Sequence, residues 1–440
     1  MIIFHKEQSM PDEKQSKVTL KDFPKLFWVA IMFEFFERGS YYGVMSVLSV
    51  YLVLDPLKGG LGFSKESVGL IKSTLQPLLY FLPILSGAIA DRFGYRKTFL
   101  VAFSLLSLGY FLTSQMTAYG FVFASLLFMG IGAGTFKPVV SGTIARVTDK
   151  RTSTLAFGIF YWSINLGAFL FPLILVPMLK EISWSYVFIM ASVGTGLMLI
   201  PAIFIYKEPP KPVSTKKLLE VLQGMVMVLK DFRFILMIVI YSGFWILYFQ
   251  MFDSVLWYLT DYVDMSIVDQ TVNGALNFFG INSAWKFDAE HVTVINAGTI
   301  ILLQILISKI VSKTKALPTM ITGISLGTIG MAILAISSHP WVFIAGIMIF
   351  SIGEMTAHPK YISYIGIIAP KDKVATYLGY SFLYGVIGSA IGGVLGANLY
   401  VHFVDKLKDP QTLWLVFSCI GLVTIIGLLL FQKFLAPKEQ

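Results

Sequence analysis

Glu34, Glu37 and Arg38 stand together in an apolar run from Leu26 to Leu54 and lead directly into Tyr41, Tyr42 and Gly43. Two carboxyls and a guanidinium at this spacing can exchange a proton or hold a charged solute. Lipid does not tolerate them, because an ionised side chain at mid-bilayer costs about 3 kcal/mol or more. At roughly 100° per residue, positions 34, 37, 38, 41 and 42 fall within a little over a third of a helix circumference. That polar face must line a wet cavity. The structural alternative is a self-neutralising Glu34–Arg38 pair at i,i+4, which leaves Glu37 uncompensated. Three more cations interrupt apolar runs: Lys72, Lys137 and Lys360. Lys137 lies nine residues before Arg146, and Glu34 nine residues after Lys25. Both therefore sit about 13 Å from the same-side ends of their helices. Equal depth makes Lys137 a candidate partner of Glu34 or Glu37.

These residues need helices that span a bilayer, and the composition supplies them. Of 440 residues, 56% are hydrophobic and 13% charged, and the mean hydropathy is +0.75. Such a chain is an all-α integral membrane protein. Its apolar runs predict twelve spans near 25–54, 67–90, 97–115, 118–145, 154–178, 184–206, 232–262, 291–311, 318–338, 340–369, 374–402 and 411–434. The expected order is a polar tail (1–22), a six-helix bundle (23–206), a linker (207–231) and a second six-helix bundle (232–436). The linker opens on Lys207-Glu208-Pro209-Pro210-Lys211-Pro212. From Thr215 to Lys230 it has the spacing of an amphipathic helix on a membrane surface. Two six-helix halves joined in this way form a pseudo-symmetric secondary transporter. The segment 263–290 shows no fold and is expected to be a solvated connector.

The net charge of +9 is a matter of topology. If the N-terminus is inside, the inner segments collect most of the Lys and Arg. The outer loops hold only Lys58, Lys65, Lys180, Lys286, Lys406 and Lys408. This asymmetry predicts that both termini are cytoplasmic, and it makes the bilayer, not nucleic acid, the expected partner. Residues 1–22 lack the apolar stretch and cleavage site of a secretory signal. The single cysteine, Cys419, sits in the last span and cannot form an internal disulfide. Gly385, Gly388, Gly392 and Gly396 recur on one face of the eleventh span, and Gly130, Gly132 and Gly134 crowd the fourth. Small residues at this spacing let helices pack closely.

The loop after the second span reads Gly87-Ala88-Ile89-Ala90-Asp91-Arg92-Phe93-Gly94-Tyr95-Arg96-Lys97. It resembles the loop signature of the major facilitator superfamily, G-x-x-x-D-R-x-G-x-R-K. Gly87 and Gly94 suit a tight turn, and Asp91, Arg92, Arg96 and Lys97 can pair with neighbouring helix ends. The string from Glu34 to Gly43 resembles the E-x-x-E-R-F-x-Y-Y-G signature of the proton-dependent oligopeptide transporters. Gly134-Thr135-Phe136-Lys137-Pro138 resembles that family's lysine–proline segment. Phe160-Tyr161-Trp162-Ser163-Ile164-Asn165-Leu166-Gly167 resembles its F-Y-x-x-I-N-x-G signature, and Gly353-Glu354-Met355 its G-E-[LM] segment.

The resemblance implies a major facilitator fold of twelve transmembrane helices in two six-helix bundles, in the cell membrane. It implies a proton-coupled symporter that imports di- and tripeptides by alternating access. Proton coupling falls to Glu34, Glu37, Arg38 and Lys137, the substrate carboxylate to Arg38 and Lys137, and the substrate amino group to Glu354. Tyr41, Tyr42, Asn165 and Asn296 are expected to supply hydrogen bonds, and Gln250 and Asp253 to face the cavity from the outer half. Protons are the coupling ion; no cofactor or metal is expected, and a monomer suffices. Gly39 stands where the family has an aromatic, which is expected to loosen packing beside Arg38. His358-Pro359-Lys360 departs from the family's Ser-Pro-small pattern, and Lys360 is expected to add positive charge to the inner half of the cavity. Two other readings stay open: a same-fold carrier of an amino-acid derivative or organic anion, and a transport-inactive nutrient sensor. No metal-ligand spacing or nucleophile motif points to an enzyme.

Overall fold

Segments this apolar must satisfy their main-chain polar groups internally, and helices do so. The computed structural model describes residues 18–149, 151–209, 218–371 and 373–436, and no strand occurs among them. Most of the expected tail, and residues 210–217 of the linker, lie outside the described residues. The first half comprises α1 (Lys25–Val53), α2 (Lys65–Phe93), α3 (Tyr95–Gln115), α4 (Tyr119–Val147), α5 (Ser153–Ile182) and α6 (Trp184–Phe204). The short α7 (Leu218–Leu229) follows in the linker. The second half starts with α8 (Phe232–Tyr262) and a short α9 (Ser266–Phe278). It continues with α10 (Glu290–Val311), α11 (Ala316–Ile333), α12 (Pro340–Ile368), α13 (Thr376–Lys406) and α14 (Pro410–Phe434). Eleven of these are long and apolar enough to cross a membrane. The twelfth span, α1, has 29 residues, and its polar face from Glu34 to Tyr42 dilutes its hydropathy.

Helix boundaries follow local chemistry. Asp231 caps α8 by accepting from the amides of Arg233 and Phe234 at 3.1 and 3.2 Å. Asp409 caps α14, whose first residue is Pro410. Gly94, at φ 103°, makes the turn from α2 to α3. Within the first half α1 packs on α4, α5 and α6, and α3 on α4 and α6; within the second, α11 packs on α12 and α14, and α8 on α13 and α14. The halves meet along two seams, α2 on α13 and α5 on α10. At the first seam a Cβ on Gly69 would lie 2.6 Å from the Gly393 carbonyl oxygen. Gly393 is not on the predicted small-residue face of α13; of that face Gly385 packs on Tyr80 of α2, whereas Gly388, Gly392 and Gly396 pack on α8, where a Cβ on Gly388 would lie 3.0 Å from the Ser242 carbonyl oxygen.

Three expectations need correction. The segment 263–290 is not a featureless connector. It holds α9, and the Asn273 amide both donates to the Trp285 carbonyl (2.7 Å) and accepts from its N–H (2.9 Å). Asp269 likewise accepts from the Phe287 amide at 2.7 Å. The seventh span, expected to run unbroken, is interrupted at residues 251–253. Finally, Gly39 does not loosen α1. The space its Cβ would take is filled by the Phe171 ring of α5, where Pro172 sits within a π turn over Phe171–Leu175.

The neighbouring contact is tighter still. A Cβ on Gly167 would lie 2.8 Å from the Phe35 carbonyl oxygen and 2.9 Å from the Gly39 nitrogen, both backbone atoms that cannot yield without moving a helix. Gly167→Leu is therefore expected to cost about 1–3 kcal/mol, seen as a lower midpoint in a thermal melt of the purified protein. An unchanged midpoint would show that α1 and α5 do not approach this closely.

Candidate functional site

The site grows from one turn of α1. Arg38 grips the carboxylate of its sequence neighbour Glu37 with two bonds, Nε to Oε2 at 2.5 Å and Nη2 to Oε1 at 2.6 Å. The Glu34 Oε1 is 3.8 Å from Nε, and the guanidinium lies 4.8 Å from the centre of the Tyr41 ring. All three charged residues are buried. The Glu34–Arg38 pairing weighed from the spacing is thus the looser contact. Glu37 is fully compensated, and Glu34 keeps a buried Oε2 without a hydrogen-bond partner. Glu34 is consequently the carboxyl of the trio with an oxygen open to a proton or a donor.

Around this turn lies an enclosed space of about 30 Å³ lined by Arg38, Tyr41, Tyr42, Gln76, Lys137 and Tyr248, among others. Lys137 reaches it as its depth predicts, but no ion pair joins it to either carboxylate among the described residues. Its Nζ instead stands 5.0 Å from the centre of the Tyr80 ring. Tyr41 donates to Gln76 Oε1 at 3.2 Å. Gln76 and Tyr80 went unnoticed in the sequence, although a glutamine inside an apolar span is itself a signal.

The opposite wall comes from the second half. The Asn296 amide donates to Ser351 Oγ (2.9 Å) and to Glu354 Oε2 (3.0 Å), which fixes the Glu354 carboxylate. A second small space beside Asn296 is lined by Tyr248, Met251, Phe252, Val292 and Thr293. Tyr248 and Phe252 border both spaces. A solute touching Arg38 and Glu354 together must displace these rings.

Four site expectations are not met in this conformation. Gln250 does not face the cavity: it is wholly buried, donates to the Ile246 and Gly392 carbonyls at 3.0 Å each, and accepts from Ser254 Oγ at 2.7 Å. It fastens α8 to α13 beside the break. Asp253 pairs with Lys72 at 3.0 Å and accepts from Ser49, which also explains the cation in the second span. The Asn165 amide donates to the Tyr161 carbonyl of its own helix (2.9 Å). Lys360 donates to the Thr314 carbonyl at 2.7 Å, in the turn between α10 and α11, so its charge is tied to that turn and not offered to the cavity. The partners of Gln250, Asp253 and Lys360 come from a packing the sequence does not show.

The two ends of the bundle differ. At the end away from the linker, ion pairs join the halves beside neutral hydrogen bonds, such as Trp257 Nε1 to the Ser49 carbonyl (3.0 Å) and the Val394 amide to Ser73 Oγ (2.7 Å). Lys65 bonds Asp405 (2.8 Å) and Asp261 (3.4 Å), Lys72 pairs with Asp253, and Lys180 bonds Asp288 (2.5 Å) and Glu290 (2.8 Å). At the linker end a cavity of about 540 Å³ opens, bordered by Tyr80, Asp91, Lys137, Ser141, Glu220 and Tyr380, among others. It shares Tyr80 and Lys137 with the enclosed space. Where the two spaces adjoin, Tyr80 lies 5.9–6.1 Å, centre to centre, from Phe249, Trp245 and Tyr384 of the second half. The charged site is therefore shut toward the far end and thinly partitioned from the linker end.

The loop motif braces the linker end of the first half. Asp91 accepts from Arg146 (2.5 Å) and from the Tyr95 hydroxyl (3.0 Å). Arg96 donates to the Ala202 carbonyl at 3.1 Å and to that of Ile203. Glu208, not singled out from the sequence, accepts from the amides of Tyr95 (2.5 Å) and Arg96 (3.0 Å) at the start of α3. Gly94 is required by its φ, but Gly87 lies inside α2, where a Cβ would make only an ordinary contact with Pro138. Arg92 and Lys97 are exposed.

Comparison with known proteins follows the same lines. The family model of the Major Facilitator Superfamily matches residues 28–285 and 271–440. The chain is 26% identical to the dipeptide and tripeptide permease B of Salmonella typhimurium, over 91% of this chain and 93% of that protein. It is 25% identical to the permease of that name from Xenorhabdus bovienii, over 96% and 97%. Among solved structures it resembles a POT family transporter in complex with 5-aminolevulinic acid, with a TM-score of 0.74 and 24% identity over 95% and 99% of the two chains. It also resembles the nucleoside transporter NupG, with a TM-score of 0.71 and 15% identity over 92% and 99%. At these identities the structural likeness concerns the fold alone.

The buried Lys72–Asp253 pair yields a stability test. Removing one partner strands the other charge, so Lys72→Met and Asp253→Leu are each expected to cost about 3–5 kcal/mol. The double variant should lose less than either single one, measured as a thermal-melt cycle. Additive losses would refute the pairing.

Proposed function

The chain belongs to the Major Facilitator Superfamily, and from that premise we propose that it is a proton-coupled symporter of di- and tripeptides, a transporter and not an enzyme. One observation carries this reading: a cationic wall in the first half, Arg38 with Lys137, and a carboxylate in the second, Glu354, both lie close to Tyr42. A small peptide is a zwitterion with the complementary poles.

Coupling follows from the Glu37–Arg38 pair. When a peptide carboxylate takes the guanidinium, Glu37 is left as a buried anion without its cation. That costs several kcal/mol, and a proton removes the cost. Binding of peptide and of proton therefore favour one another. Glu34, with its unbonded oxygen, is the second acceptor, and Lys137 holds the substrate carboxylate beside Arg38. Glu354 receives the ammonium, oriented by Asn296, and Tyr41 and Tyr42 donate hydrogen bonds. Because its two ends bind different halves, the peptide draws the halves together and promotes their rocking. Asn165 acts only once it lets go of its own helix.

The asymmetry of basic residues orients the protein with the linker end and both termini in the cytoplasm, within the cell membrane. The conformation described above is then closed outward and nearly open inward, ready to release its load past Tyr80. A monomer contains the whole path. A carrier of a smaller zwitterion uses the same poles, and the enclosed space of about 30 Å³ favours a small solute until Tyr248 and Phe252 move.

Vesicles carrying the protein should take up a labelled dipeptide several-fold faster under an inward proton gradient, and Glu37→Gln should abolish that dependence while leaving counterflow exchange. Uptake indifferent to the gradient in the intact protein would end the proton role. Glu354→Gln removes a charge-assisted bond of about 1.5–3 kcal/mol, so affinity should fall roughly tenfold or more. Peptides blocked at the amino end should compete poorly with the intact protein. If they compete as well as free ones, the Glu354 role fails and the smaller-solute or organic-anion reading takes its place.

A further inference from the structure

The segment between α8 and α10 carries an apolar tip that the transport reading does not use. Phe278 is 85% exposed and Phe279 76%. They end α9 just before Gly280, whose φ of 79° turns the chain back, and before the exposed Ile281. Only Val263, Asp264 and Met265 join Tyr262 of α8 to Ser266, a reach of about 14 Å at most. At the other side Asp288 and Ala289 lead directly into α10. Both ends of the segment are thus fixed at the ends of membrane spans.

The base of α9 lies on the bundle. Met265 and Val268 are buried in the core, and Val272, Trp285 and Phe287 pack against it. The returning chain is tied to α9 through Asn273 and Asp269, and α9 touches α12. The first two turns therefore rest on the far end of the second half. With a rise of 1.5 Å per residue, the remaining turn and the tip overhang it. The neighbouring surface is equally apolar: Trp341 near the start of α12 and Ile336 before it are both exposed.

We infer that Phe278, Phe279 and Ile281 insert into the interfacial layer of the bilayer, so that α9 anchors the far end of the second half to lipid. The occupant is lipid because both ends of the segment are held within a few residues of membrane spans, which keeps the exposed tip at the level of the bilayer surface. Aromatic side chains suit the level of the headgroups, and a helix with an apolar edge lies in the interface plane. The anchor bears on the gate, since the same segment ends at Asp288 and Glu290, the partners of Lys180.

The test is the depth of a spin label at Phe278→Cys in a Cys419→Ser background, with the full chain in vesicles of phosphatidylcholine and phosphatidylglycerol. Power saturation is expected to show collisions with oxygen several-fold more frequent than with a water-soluble nickel chelate. A label more accessible to the chelate than to oxygen would place the tip in water and overturn the inference. Ile281→Cys, beyond the end of α9, gives the same readout if the first variant does not fold. The measurement does not depend on which solute is carried.

Discussion

A charge inside a membrane protein must be answered by another charge or by a polar group, and the structure is organised around that requirement. Arg38 is answered by Glu37, Lys72 by Asp253 and Lys360 by the Thr314 carbonyl. Lys137, half-buried, is the exception among these four cations of the spans: it faces the Tyr80 ring and the small central space. Glu34 is the matching exception among the carboxyls, with an oxygen left unbonded. The two incompletely answered groups lie on facing helices, α4 and α1. The settled pairs hold the scaffold, and the unsettled ones mark where something else binds.

The same principle separates the two ends. Ion pairs are strong and directional where water is scarce, and among the described residues the pairs given above that cross between the halves lie at the far end. At the linker end the halves meet through Tyr80, Trp245, Phe249 and Tyr384. Ring contacts of this kind are worth about 0.5–1.5 kcal/mol each beyond their area and slide without stranding a charge. The far end is latched, and the linker end is merely closed over.

Much of this was legible in the sequence because it depends on one helix at a time. Span lengths, the polar face of α1 and the depth of Lys137 follow from rise and rotation per residue. The order of Asp91, Arg92, Gly94 and Arg96 is local too. What stayed hidden depends on two helices together. Gln250 and Asp253 lie in the seventh span beside a break that neither proline nor glycine announces, and their partners come from α13, α1 and α2. The departure at His358-Pro359-Lys360 suggests a cation near the cavity, and only the position of the turn between α10 and α11 shows otherwise. Gly39 suggests loosened packing in its own helix alone, because the residue that fills its space, Phe171, belongs to another helix. The fold of α9 is hidden for a different reason: its apolar residues are too few for a span.

One feature of the central pair bears on the turnover cycle. Glu37 and Arg38 are consecutive residues of one helix, so their bond does not depend on how the two halves are tilted. In a carrier whose central cation is neutralised by a carboxylate from the opposite half, every reorientation without cargo has to tear that pair apart. Here the unloaded protein keeps that central pair intact on the return leg. Such a carrier is suited to net accumulation, since it need not wait for a second solute to ride back.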